Sequence, residues 1–124
     1  MHELSIVTSV VEIVTESLAG LPAGLKDARV KEVRLRVGAL AAVIEDSLQF
    51  CYGIATDGTP LAGSKLVVNV QPVTVYCEAC GVEGELETLQ SFRCPRCGGP
   101  AGDVRAGREL EIEAIEIEDA QEVQ

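Results

Sequence analysis

The chain has 124 residues, enough for one ordinary hydrophobic core or for a small core and a metal-held module. Twenty acidic residues against ten Lys and Arg give a formal charge of −10, which disfavours binding to nucleic acid or to an anionic membrane. No apolar run is long enough for a membrane span and the N-terminus lacks the basic start of a signal peptide, so we expect a cytoplasmic protein.

Hydrophobic periodicity predicts two helices. The first covers residues 3–19, and its apolar residues recur at helical spacing: Leu4, Ile6, Val7, Val10, Val11, Ile13, Val14 and Leu18. The second runs from about Asp46 to Thr56 and has a narrower stripe: Leu48, Cys51, Tyr52 and Ala55. Since Cys51 lies on that stripe, it is interpreted as a core thiol rather than a metal ligand.

Alternation of apolar and polar residues predicts three strands, at Ala28–Val37, Leu66–Tyr76 and Glu109–Glu118. Two of them change phase. The inward set of the second strand changes from one parity to the other at Gln71-Pro72: Leu66, Val68 and Val70, then Val73 and Val75. The third strand changes parity between Ile112 and Ile115. A one-residue slip turns all later side chains to the opposite face, so we predict a bulge or bend in each of these strands.

Two Cys-x-x-Cys pairs separate the second strand from the third: Cys77, Cys80, Cys94 and Cys97, with 13 residues between the pairs. Four thiolates at this spacing can converge tetrahedrally on one soft divalent ion, so the pattern predicts structural zinc in a zinc ribbon. Gly81 and Gly98-Gly99 follow the pairs and permit tight turns. The alternatives are a chance occurrence of the pattern, a disulfide pair, a redox-active Cys-x-x-Cys and a rubredoxin-like iron site.

These elements predict an α+β fold, with two helices packed on a three-stranded mixed sheet and the zinc ribbon inserted between the last two strands. The link between the first two strands is long enough for a parallel crossover. The last two strands enclose the ribbon, so we expect them to pair antiparallel as one very long hairpin. The predicted domains are an α/β domain of residues 1–75 and 106–124 and a ribbon of residues 76–105.

The single histidine, His2, follows the first residue of the chain. The α-amine of Met1, the amide of His2 and its imidazole place three nitrogens in series. If the amide loses its proton, these nitrogens approach a plane, the geometry that Ni(II) and Cu(II) prefer. A fourth position is open to the amide of Glu3, to its carboxylate or to a donor from elsewhere. On the residues alone, the alternative is an N-terminus that binds no metal.

Three segments occur here in one order: Met1-His2-Glu3-Leu4-Ser5-Ile6, the strand end Leu35-Arg36-Val37-Gly38, and the paired Cys-x-x-Cys before Glu109-Leu110-Glu111-Ile112. Together they resemble the HypA family of hydrogenase nickel-incorporation proteins, of which HybF is a close paralogue, over nearly the whole chain. The resemblance implies a nickel metallochaperone rather than an enzyme. It implies transported Ni²⁺ at Met1, His2 and Glu3, within the α/β domain, and structural Zn²⁺ at Cys77, Cys80, Cys94 and Cys97.

The resemblance also implies partners: the nickel-handling GTPase HypB, the large subunit of [NiFe]-hydrogenase and, in some relatives, urease maturation factors. Some relatives carry histidines beside the zinc cysteines, and this chain has none there. The main alternative function is a zinc-ribbon adaptor for protein interactions that transfers no nickel.

Two other functions fit the residues less well. A nucleic-acid module is disfavoured because Phe92 is the one aromatic residue between Cys77 and Cys97 and this segment is acidic. A metalloenzyme is disfavoured because four cysteines leave no open metal position for water or substrate.

Overall fold

A computed structural model describes residues 2–22 and 28–118 of the protein. Within these residues the fold has two α-helices and two three-stranded sheets. The elements follow in chain order: α1 (Glu3–Ala19), β1 (Arg29–Gly38), a 3-10 turn (Ala39–Ala41), α2 (Glu45–Ala55), β2 (Lys65–Gln71), β3 (Thr74–Cys77), β4 (Val82–Glu85), β5 (Asp103–Ala106) and β6 (Leu110–Glu118). The predicted fold class is confirmed. The structure is α+β, with two helices and with the four-cysteine segment inserted between strands.

The two helices pack against each other through one apolar face each. The buried residues of α1 are Ile6, Val7, Val10, Val14 and Leu18, and those of α2 are Leu48 and Tyr52. The predicted stripe of α1 was too wide, because Leu4 and Ile13 are about half exposed. At 100° per residue, Leu4 and Ile13 lie about a quarter turn on either side of the centre of the buried face of α1. Both side chains therefore lie at the edges of that face.

The first sheet has the strand order β2-β1-β6, with β1 in the centre. The predicted long hairpin is therefore wrong, because β1 lies between the two strands that were expected to pair. The central position fits the composition of β1, whose alternating Val33, Leu35 and Val37 are buried. By contrast, β6 has no buried residue along its length, as an edge strand allows. The predicted parallel crossover from β1 to β2 stays a prediction.

The phase change at Gln71-Pro72 marks the point where the chain leaves one sheet for another. β2 ends at Gln71 in the first sheet, and β3 begins at Thr74 in the second. Proline has no N–H to donate to a ladder, which favours an interruption there. The predicted bend is confirmed for this segment, but Val70, placed in the inward set, is 59% exposed. β6 runs without interruption, and a bulge within it stays a prediction.

The second sheet has the order β4-β3-β5, and both pairs are antiparallel. The hairpin between β3 and β4 closes at the pair Cys77–Val82, and the β3–β5 pairing shifts register between Thr74 and Val75. Its core is small: Val73, Val75, Cys77, Cys94 and Ala101. Since two of these five residues are cysteines of the four-cysteine cluster, the cluster is part of what holds this sheet together.

The chain divides into two compact units. Unit 1 comprises Met1–Leu35, Val43–Val68 and Ile112–Gln124, and unit 2 comprises Arg36–Ala42 and Asn69–Glu111. Within unit 2, the N–H of Gly38 donates to the carbonyl of Glu109 (2.6 Å), and a Cβ at Gly38 would overlap the backbone of Gly107. This close approach explains why a glycine ends β1. The domain boundaries predicted from the sequence remain a prediction.

Candidate metal centre

The first Cys-x-x-Cys pair forms a tight turn at the end of β3. Cys77 is the last residue of the strand, and its carbonyl accepts a hydrogen bond from the N–H of Gly81 (2.7 Å). Gly81 has φ +70°, a conformation that glycine adopts without the strain of a Cβ. The turn therefore presents the sulfurs of Cys77 and Cys80 from one short segment.

The second pair repeats this turn. The carbonyl of Cys94 accepts from the N–H of Gly98 (2.9 Å), and Gly98 has φ +74°. The N–H of Cys94 donates to the carbonyl of Gly99 (2.8 Å), which closes the turn at its base. The glycines noted in the sequence thus take the same place in both turns.

The four sulfurs lie within 4.8 Å of one another. The Sγ atoms of Cys77 and Cys97 are 3.7 Å apart, and those of Cys80 and Cys94 are 3.8 Å apart. Four sulfurs at the Zn–S distance of about 2.3 Å form a tetrahedron with an edge of about 3.8 Å. A disulfide requires about 2.0 Å, and all five cysteines, which lie in the described part of the chain, are free. The residues therefore fit a four-thiolate metal site of the kind that zinc occupies.

Hydrogen bonds shift the pKa values of two of the four thiols in opposite directions. The N–H groups of Cys97 and Arg96 donate to the sulfur of Cys94 and lower the pKa of its thiol to about 6. Hydrogen bonding to the sulfurs of Cys97 and Cys94 raises the pKa of the Cys80 thiol to about 12. A divalent cation bound by the four sulfurs would displace the protons of the thiols, because thiolates are the ligating form.

The cysteines differ in exposure. Cys77 and Cys94 are buried, Cys80 is partly buried and Cys97 is exposed beside a cleft lined by Arg93, Pro95 and Arg96. Four sulfurs complete a tetrahedral shell, so the site has no free position at which a metal could activate water. The arrangement suits a structural ion. Cys51, on α2, is partly buried and is not a member of this cluster.

Two of the three residues predicted to bind nickel, His2 and Glu3, lie at the start of α1. Met1 lies outside the described residues. His2 is exposed and is the N-cap of α1, where its carbonyl accepts from the N–H of Ile6 (3.2 Å). The structure thus places the imidazole at the surface, next to the first residue of the chain.

The carboxylate of Glu3 contacts the start of α2. Its Oε2 accepts from the N–H of Ile44 (3.4 Å), and its Oε1 accepts from the hydroxyl of Ser47 (3.3 Å). Ile44 is the N-cap of α2 and has no side-chain cap of its own, so Glu3 supplies the acceptor from another helix. The hydrogen bond from Ile44 lowers the pKa of Glu3.

Ser47 is a residue that sequence reasoning missed. The one available signal was the isoleucine at the start of α2, since isoleucine is a poor N-cap residue and the helix end needed an acceptor from elsewhere.

Among residues 2–22 and 28–118, no helix is both long and apolar enough to cross a membrane.

Comparisons with known proteins agree over nearly the whole chain. A family model described as HypA, hydrogenase/urease nickel incorporation, metallochaperone, matches residues 1–117. The hydrogenase maturation factor HypA of Chloroflexus aurantiacus is 47% identical over 116 residues, which cover 94% of this chain and 98% of the relative. Two solution structures share the fold at 18% identity. The Ni metallochaperone HypA from Helicobacter pylori has a TM-score of 0.61 (94% and 97% of the two chains), and a HypA protein has 0.66 (96% and 98%).

Proposed function

Because this chain belongs to the HypA family of hydrogenase and urease nickel-incorporation metallochaperones, we propose that it binds Ni²⁺ at its N-terminus and delivers the ion to the large subunit of [NiFe]-hydrogenase. The observation that carries the proposal is the family match from residue 1 to residue 117, which includes the Met-His-Glu start. Delivery is proposed to take place in the cytoplasm with the GTPase HypB, and urease maturation factors are further candidate partners.

The nickel donors are proposed to be Met1, His2 and Glu3. The exposed position of His2 supports this assignment, because an ion that must be passed on needs an accessible site. The N–H of Glu3, in the first turn of α1, has no carbonyl partner within the helix and hydrogen-bonds to the carboxylate of its own side chain, so its use as a nickel donor would break that hydrogen bond. The carboxylate of Glu3 contacts α2, and binding nickel through it would remove the acceptor at that helix end.

Zn²⁺ is proposed to be held by Cys77, Cys80, Cys94 and Cys97 in a structural role. Two of these residues belong to the core of unit 2, and the S···S distances of 3.7 Å (Cys77–Cys97) and 3.8 Å (Cys80–Cys94) match the edge of a tetrahedral thiolate shell. When bound, the ion supplies a cross-link between the two Cys-x-x-Cys turns. Because the shell has no free position for a substrate, the proposed role excludes catalysis at this ion.

The residue to test is His2. We expect His2→Ala to abolish tight Ni²⁺ binding in an isothermal titration, since the imidazole nitrogen is lost, while one zinc per chain and the far-ultraviolet circular dichroism stay unchanged. Glu16→Ala, an exposed change farther along α1, is the control and should bind nickel like the wild type. Wild-type nickel affinity in His2→Ala would contradict the assigned site.

Delivery needs a separate test. Nickel-loaded protein, incubated with HypB and the nickel-free hydrogenase large subunit, should transfer its ion, and His2→Ala should not. The alternative function is a zinc-ribbon adaptor without nickel transfer. It would be favoured if the zinc-loaded His2→Ala chain supported hydrogenase maturation as well as the wild type does.

A further inference from the structure

The outer face of α2 carries large apolar side chains in contact with solvent. Phe50 is 71% exposed, more than any other large apolar residue in the described chain, and Ile54 is 58% exposed. They lie one helical turn apart and therefore adjoin, on the side of the helix opposite to the buried Leu48 and Tyr52. Single exposed apolar residues are ordinary, whereas contiguous exposed apolar surface with a polar rim is typical of interaction sites.

Gly53 lies one helical turn after Phe50 and directly precedes Ile54 in the chain. Gly53 occupies the interior of α2, where glycine is less favourable than alanine. Its backbone needs no positive φ, and a Cβ there would meet nothing within 4 Å. Packing within the described chain therefore gives no reason for a glycine at this position. A missing side chain one turn from Phe50 leaves room for the backbone of a partner to approach the helix closely.

The charges at the two ends of this face are negative. Asp46 lies one turn before Phe50 within α2, Asp57 follows the C-cap residue Thr56 at the C-terminal end of the helix, and both are exposed. No lysine or arginine occurs between Arg36 and Lys65 in the sequence. The α2 outer face, defined as Asp46, Phe50, Gly53, Ile54 and Asp57, is thus apolar in its middle and acidic at its ends.

These charges decide between two occupants. A second copy of this chain would place the same face against itself and would bring Asp46 and Asp57 of the two copies together, on chains that each carry a net charge of −10. A segment with apolar residues bordered by lysine or arginine would instead be complementary at the centre and at both ends.

We propose that the α2 outer face is a docking site for a basic amphipathic segment of a partner protein. Phe50 and Ile54 anchor its apolar side, Gly53 admits its backbone, and Asp46 and Asp57 pair with its cations. The site does not involve the N-terminal residues, so it stands or fails independently of nickel binding.

The first test uses the full-length, zinc-loaded, nitrogen-15-labelled protein and a synthetic amphipathic helix of leucine and lysine as the probe. Amide shifts should concentrate on α2, and a twin peptide with glutamate in place of lysine should not bind. Phe50→Ser with Ile54→Ser should weaken binding by at least about tenfold, as expected for two central anchors. Ile13→Ser, at a residue of similar exposure on α1, is the control and should leave it unchanged.

A second variant separates lost docking from damaged folding. Gly53→Leu should raise the melting temperature, because leucine is the better helix former and its Cβ meets nothing, yet it should weaken binding of the leucine–lysine probe by filling the gap. The proposal is overturned if the shifts spread over the acidic surface and neither variant changes them. It is also overturned if sedimentation reveals a dimer that Phe50→Ser dissociates, since the occupant would then be a second copy.

Discussion

The four-cysteine cluster and the N-terminal residues differ in how their donor atoms are held. The sulfurs come from two turns 13 residues apart, and two glycines with positive φ, a three-stranded sheet and a small core bring them together. The proposed nickel donors belong to consecutive residues of the sequence, Met1, His2 and Glu3, so covalent geometry fixes their spacing. The four-cysteine site therefore needs the fold and stabilises it, whereas the proposed N-terminal site needs only a free α-amine at the chain end.

The largest difference is expected when the cysteine cluster loses a ligand. Cys94→Ser should lose zinc and, with it, most of a binding free energy of about 10–16 kcal/mol, so that β3, β4 and β5 lose their order while α1 and α2 remain. Amide spectra would show collapsed resonances for residues 69–111 and dispersed ones for the helices. Cys51→Ser is the matched control and should keep one zinc per chain. A folded, zinc-free Cys94→Ser protein would contradict a structural role for the ion.

A smaller effect is expected from the turn glycines. Gly98→Ala places a Cβ at φ +74°, which should cost about 1–2 kcal/mol, or roughly 5- to 30-fold in zinc affinity. Competition against a chromophoric chelator would measure the loss. Gly102→Ala serves as the control, because its φ lies outside the strained region and a Cβ there meets nothing. Equal zinc affinities for the two variants would mean that the turn does not set the geometry of the cluster.

The smallest effect is expected at Glu3. The folded pKa of Glu3 lies below its ordinary value, so its contacts with Ile44 and Ser47 stabilise the fold above the unfolded pKa of about 4.3, and this contribution is lost as the pH falls through the folded pKa. The wild type should therefore melt slightly higher than Glu3→Gln near neutral pH, and the two curves should meet in acid. Thermal melts across the pH range would measure this difference.

Nickel titration of the same variant sharpens the comparison between the two sites. Glu3→Gln keeps the backbone amide and should bind nickel like the wild type if the carboxylate serves only α2. A large loss of nickel affinity would instead indicate that the carboxylate is a nickel ligand. The nickel site would then depend on the Glu3 side chain as well as on the chain end.

Local structure was predictable from the sequence. The bounds of α1 were predicted to the residue and those of α2 to within one, because apolar spacing and the glycines that follow are local signals. The four-cysteine cluster was predictable for the same reason, since the Cys-x-x-Cys spacing and the glycines that follow indicate local turns. The phase change at Pro72 was also visible, although its meaning, a change of sheet, was not.

Contacts between distant segments were not predictable. Alternation in β2 and β6 indicates strands but carries no information on which strand lies between them, and the long-hairpin prediction failed for that reason. The contact from Glu3 to Ile44 joins residues 41 positions apart, and nothing near Glu3 in the sequence indicates it. The exposure of Leu4 and Ile13 likewise depends on the angle at which α2 packs on α1.

The measurement that tests the nickel assignment most directly is a Ni²⁺ titration of untagged, zinc-loaded protein beside the same protein extended by one residue before Met1. The extension keeps every side chain but moves the α-amine away from His2, so the series of nitrogens is broken. Tight binding by the native terminus and a loss of binding in the extended chain is the predicted result. Equal affinities would contradict the N-terminal site and would leave the zinc-ribbon adaptor as the better account.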